Sequence, residues 1–266
     1  MMPDVVAQAD GRAGPFDVLT AVSAALLALC LVWALVDPRL IGGAPVWAKP
    51  AKFSVSFVVH FGTLALISAT LSPAWRQGTL ISVTAGVMAV CFLAEMAYMI
   101  VMAAQGQASH FNTATPFTSA MYSLMGVGAV LLILGPVMVA AAVWQDGSAQ
   151  IGPATRAGIL WGAALSFVLT FVIAGYMGGN GSHLVGVPGP EARSLPFFGW
   201  SASVGDLRPA HFAALHALQA LPLLGLLLDR AQISPAFAVP LAGLAYAGVT
   251  LALFAQALMG LPLIRL

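Results

Sequence analysis

Seven long apolar runs constrain this chain more than any other feature. A helix that crosses the hydrocarbon of a bilayer needs about 20 mostly apolar residues. The runs occupy roughly 16–36, 51–71, 78–103, 116–144, 156–177, 209–228 and 235–263, with ends uncertain by about two to four residues. Breakers fall between them: Asp37-Pro38, Ser72-Pro73, Gly152-Pro153 and Ser234-Pro235. Pro136, Pro222 and Pro240 lie inside runs, where each removes a backbone hydrogen bond and bends its helix. The fourth and seventh runs exceed one bilayer thickness, so we expect them to tilt or emerge. The expectation is an all-α integral membrane bundle, one polytopic domain over 1–266, with no internal repeat.

Composition closes the soluble alternative. Of 266 residues, 60% are hydrophobic and 7% charged. A soluble domain carries roughly 25% charged residues, because its surface must face water. The formal net charge of +1 and the lack of a Lys/Arg run argue against a nucleic-acid partner. Cys30 and Cys91 sit in apolar segments without a Cys-x-x-Cys pattern, which reads as two small buried hydrophobes. Asp4, Asp10 and Arg12 precede the first run and Asp17 falls at its start, where a secretion signal carries a basic stretch, so we read that run as a retained helix.

Seven crossings put the termini on opposite faces. Lys and Arg counts favour the far face, opposite the N-terminus, as cytoplasmic. Lys49, Lys52 and Arg208 belong to the polar site below, however, and discounting them we lean to the N-terminal face. The far face owns both long connections, 104–115 and 178–208. Sites tend to be built on such loops.

Three helices carry polar stripes toward that face. On the second, Lys49, Lys52, Ser56 and His60 recur every three or four residues and share one face, which Thr63 continues. On the third, Glu95, Tyr98, Met102 and Gln105 form a stripe. A carboxylate at that depth is costly unless protonated, paired or ligating. The sixth starts with Asp206, a natural N-cap, then Pro209, and turns Arg208, His211, His216 and Gln219 to one broad face. His60, Glu95 and His216 lie roughly 10–17 Å below the far surface at about 1.5 Å per residue. A common depth on three helices points to a convergent site. Its mouth would be formed by Lys52, Arg208, His211 and the loop bearing His110 and Asn112.

Three functions fit these residues. The first is a membrane enzyme with a transition metal (zinc or iron) or haem held among His60, Glu95, His211 and His216. Glu95 and His60 would do its chemistry on a lipid or small hydrophobic substrate. Lys52, Arg208, His110 and Asn112 would bind the cofactor, with Arg208 and Lys52 pairing with haem propionates or an anionic headgroup. The second is a proton-coupled carrier or channel relaying protons through Glu95 and His60. The third is an accessory subunit whose polar groups join helices. A retinal Schiff base does not fit, since the only two lysines lie at or near the start of the second run.

The stretches Trp47-Ala48-Lys49-Pro50-Ala51-Lys52-Phe53-Ser54, Gln105-Gly106-Gln107-Ala108-Ser109-His110-Phe111-Asn112 and Gly205-Asp206-Leu207-Arg208-Pro209-Ala210-His211-Phe212 resemble signature segments of an uncharacterised family of bacterial polytopic membrane proteins. That resemblance implies a multi-pass protein of the bacterial inner membrane and carries no activity. A second resemblance is to seven-helix zinc hydrolases of the alkaline ceramidase and adiponectin receptor type. Ser56-x-x-x-His60 matches their second-helix motif, which gives Ser56 a catalytic role by implication. Glu95 stands where they carry an Asp. The chain departs from them at the seventh helix, which lacks their His-x-x-x-His, while His211 and His216 on the sixth are spaced differently.

Overall fold

The structure, a computed structural model, describes residues 13–265. Asp4, Asp10 and Arg12 therefore lie outside the described residues. The all-α expectation holds: the described residues include seven helices long and apolar enough to cross a membrane. They are α1 (Pro15–Ala34), α2 (Ala48–Ala69), α4 (Thr79–Ala104), α5 (Pro116–Gln145), α6 (Pro153–Asn180), α7 (Arg208–Arg230) and α8 (Pro235–Leu258), with one extra turn, α3 (Pro73–Arg76), ahead of α4. Large apolar side chains project outward along them: Leu29 on α1, Leu66 on α2, Val90 on α4 and Leu241 on α8 are all more than half exposed. Lipid accommodates such surfaces, and water does not. The chain is a multi-pass membrane protein.

Helix ends follow local chemistry. Proline opens α1, α5, α6 and α8, where its missing N–H is not needed. The α6 helix starts three residues before the expected 156, because an acidic group described below caps it. The α8 helix stops at Leu258, short of the expected 263, since Gly260 turns left-handed (φ +74°) just past its end. Over its 30 residues α5 spans ~45 Å, more than the ~30 Å of hydrocarbon, as its long apolar run implied. Pro136, Pro222 and Pro240 all sit inside helices.

The chain divides into two compact units, one ending at Gln150 and one beginning at Ile151. In the first, α2 meets α4 through Phe57, Phe61 and Phe92, whose ring centroids lie 4.7 and 5.2 Å from Phe92. The α4–α5 contact relies on small residues: a Cβ on Gly135 would strike the Met88 side chain. A two-stranded hairpin, β1 (Leu40–Ile41) and β2 (Ala44–Pro45), joins α1 to α2 across Gly42 and Gly43, both at positive φ.

In the second unit α6 and α7 approach closely. A Cβ on Gly158 would strike the Leu221 carbonyl, one on Gly162 would stand 2.8 Å from the Ala217 carbonyl, and one on Gly225 would strike the Ala154 carbonyl. This is the small-residue packing that drives helix association in lipid. The Tyr246 hydroxyl of α8 donates to the Ala213 carbonyl of α7 (2.7 Å). Strands β3 (Leu184–Val185) and β4 (Gly205–Asp206) pair across the base of the long 178–208 connection.

Candidate functional site

Hydroxyls are the commonest polar groups inside the spans, and most are satisfied locally. Thr20, Ser23, Ser54, Thr63 and Thr250 each donate to the carbonyl four residues back, at 2.7–2.9 Å. Such back-bonding needs no partner helix. The ionisable groups stand out against that background.

Glu95 on α4 is 6% exposed, and its Oε1 has no hydrogen-bond partner among the described residues. One turn on, the buried Tyr98 hydroxyl is in the same condition. The Glu95 carboxyl lies against Gly128 of α5, where a Cβ would come within 2.7 Å of Oε1. Gly128 thus leaves room for the carboxyl. Tyr98 continues into an apolar cluster with Met102 and Met125. Two unsatisfied polar groups one turn apart make a small polar site inside the first unit, and burying them without partners is costly.

On α2, His60 is half-buried with its ring edge-on to Phe61 at 5.6 Å. Phe61 meets Phe92, which lies one turn before Glu95. Lys52 and Ser56 are exposed. The α2 stripe therefore runs along the edge of the packed face rather than along its centre.

The 104–115 loop turns inward. The His110 ring lies 5.6 Å from Phe53 and 6.4 Å from Tyr122, with Nδ1 3.1 Å from the Ser109 hydroxyl. Burial, with the nearby Lys49 ammonium adding to it, pushes the His110 imidazole down to about 3, so the ring is neutral. The Lys49 ammonium sits 6.0 Å over Phe53. Asn112 closes the loop on itself: it donates to the Ala108 carbonyl (2.9 Å) and accepts from Ala114 N–H (3.2 Å).

In the second unit Arg208 pairs within its own segment. Its guanidinium donates to Asp206 at 2.6 and 2.9 Å and to the Gly199 carbonyl at 2.7 Å. Asp206 is fully buried and also accepts Ser201 N–H at 2.7 Å. Asp206 is not the N-cap that the sequence suggested: the N-cap falls one position later, on Leu207, yet Asp206 still accepts the Arg208 N–H at 3.0 Å. His211 is half-buried, and its Nδ1 has no hydrogen-bond partner among the described residues. His216 Nδ1 lies 3.0 Å from Gln219 Oε1, and its ring lies 4.1 Å from Phe212.

Among the described residues, no three His, Cys, Asp or Glu side chains form a group able to hold a metal ion. Of the residues read as a common site, Lys52, Ser56, His60, Glu95, His110 and Asn112 belong to the first unit; Arg208, His211 and His216 belong to the second.

Two carboxylates that sequence reading passed over have clear structural roles. Asp229, at the end of α7, accepts Ala154 N–H (3.0 Å), Thr155 N–H (2.8 Å) and the Thr155 hydroxyl (2.6 Å), capping α6. Asp146, after α5, accepts Ser72 N–H at 2.7 Å and the Ser148 hydroxyl at 2.7 Å. Burial opposes its ionisation, but these bonds outweigh that and hold its carboxyl below the usual range. Ala154 and Thr155 for Asp229, and Ser72 for Asp146, lie more than 70 positions away in sequence, so no local pattern marks these bonds. Gly128 left no signal either: a lone glycine in an apolar run looks like any other small residue.

No protein family matches the chain, and neither does any curated protein or solved structure. The described residues form a multi-pass membrane protein with seven helices able to span and a buried carboxyl on the third of them.

Proposed function

We propose that the chain is a proton-coupled membrane carrier or channel, with Glu95 as the exchanging carboxyl. One observation carries this reading. Glu95 Oε1 and the Tyr98 hydroxyl are buried one turn apart within a spanning helix, and neither has a hydrogen-bond partner among the described residues. Intramembrane carboxyls in such settings mark proton and ion pathways. The carboxylate left when the proton departs needs a hydrogen-bond donor, which the Tyr98 hydroxyl one turn on can supply, and the proton itself needs an acceptor further along the path. His60, on the helix that packs against α4 through Phe61 and Phe92, is the candidate the sequence offers for the next step. The resemblance of the Lys49, His110 and Arg208 stretches makes a bacterial inner membrane the proposed setting.

Purified protein reconstituted into liposomes tests this. A pH step across the membrane should drive proton flux, read by an enclosed dye, and Glu95→Gln should abolish it. Equal flux in the variant, or none in the wild type, defeats the proposal.

The unpartnered Nδ1 of His211 favours a second reading, a metal- or haem-dependent enzyme acting on a lipid or small hydrophobic substrate. An absorption spectrum with elemental analysis decides it. Stoichiometric metal or a Soret band that disappears in His211→Ala supports it; a colourless, metal-free folded protein does not.

A further inference from the structure

The segment 193–202 in the second unit is a narrow hairpin. Ser194 bridges Ser201, Ala202 N–H donates to the Arg193 carbonyl (2.9 Å), and Leu195 N–H donates to the Trp200 carbonyl (2.7 Å). At its tip Phe198 N–H donates back to the Pro196 carbonyl (2.7 Å), forming a γ-turn around Phe197 with φ +66°. Few non-glycine residues adopt that conformation, which is strained for a bulky side chain. The turn leaves the Phe197 ring 85% exposed.

The hairpin is strapped in place. Arg208 donates to the Gly199 carbonyl, and Asp206 accepts the Ser201 N–H, so residues at the start of α7 hold the arm that follows the tip. It also folds back along α7. Phe198 stacks on Trp200 at 4.4 Å, and both rings lie about 6 Å from Phe212. Phe212 is four residues past Arg208, or about 6 Å along the span. The rings of Phe198 and Trp200, beside the tip, therefore sit level with the first turn of α7.

We propose that this hairpin is an interfacial anchor, with Phe197 inserted among lipid chains at the headgroup boundary. Two observations select lipid as the occupant. First, the exposed ring is continuous with the lipid-facing apolar surface of α7, through Phe198 and Phe212, both more than 40% exposed. Second, the hairpin is polar at its wet end and aromatic at its tip. Arg193 is exposed at the base, where it complements headgroup phosphates. That ordering is characteristic of membrane-interface elements. The strap fixes the depth of the tip, and the strained turn aims the ring.

Spin labelling tests the proposal directly. Cys30→Ala and Cys91→Ala leave a cysteine-free chain, and Phe197→Cys then carries a single nitroxide in phosphatidylcholine–phosphatidylglycerol vesicles. Collisions with oxygen, which partitions into lipid, should exceed those with a water-soluble nickel chelate several-fold. The same label at Val187→Cys, on the same connection and 90% exposed, should show the reverse ratio. Circular dichroism confirms that each labelled chain is folded. A Phe197 label with the Val187 ratio overturns the anchor. A label shielded from both reagents overturns it too, and points to a protein surface covering the ring.

Discussion

Replacing Asp229 with alanine should destabilise the second unit by about 2–4 kcal/mol. The figure follows from what the carboxylate holds. It accepts two backbone N–H groups at the start of α6, from Ala154 and Thr155, and the Thr155 hydroxyl at 2.6 Å. Hydrogen bonds to a charged acceptor contribute about 1.5–3 kcal/mol each in favourable cases. Three that share one half-buried carboxylate contribute less than their sum. A negative charge at a helix N-terminus adds roughly 0.3–1 kcal/mol. Asp229→Asn keeps an acceptor and loses the charge, so it should cost about half as much. Thr155→Ala should remove about 1 kcal/mol alone and show coupling of at least ~0.5 kcal/mol to Asp229→Ala in a double-mutant cycle. Equilibrium unfolding by SDS in mixed micelles, followed by circular dichroism, reads all four states. A loss below ~0.5 kcal/mol for Asp229→Ala, or additive single changes, refutes the cap.

Gly158→Val should lose about 1–3 kcal/mol or more, since its Cβ would strike the Leu221 carbonyl and backbone cannot swing aside; the same micelle titration checks it. Lowering the pH should destabilise the first unit through His110. Its folded value near 3 lies below the ordinary 6.5, so the unfolded chain binds the proton first. Stability from this group is complete above about pH 6.5 and declines as pH falls from there toward 3. Thermal melts of wild type and His110→Gln between those limits should diverge, with the variant less sensitive to acid.

The spans were legible in sequence because lipid imposes a length and a composition on every crossing helix, and breakers such as Gly152-Pro153 mark the gaps. Helix ends were less so. The start of α6 depends on Asp229, whose contribution comes from another helix. Glu95 was legible as an ionisable group at an apolar position; Gly128, which gives its carboxyl room, was not. Periodicity put Lys52, Ser56 and His60 on one face but did not say how far that face turns inward, and two of the three are exposed. Arg208 read as a residue at a site mouth, pairing with haem propionates or an anionic headgroup. The structure commits it to Asp206 and Gly199, a pairing set by how the long connection folds back.

Infrared difference spectroscopy across a pH step tests the proton-exchanging role of Glu95 most directly. Acidification of the wild-type protein should produce a carboxylic-acid C=O band at the high frequency typical of an apolar setting, and Glu95→Gln should lack it. An identical band in the variant, or no pH-dependent band from a buried carboxyl in the wild type, contradicts that role.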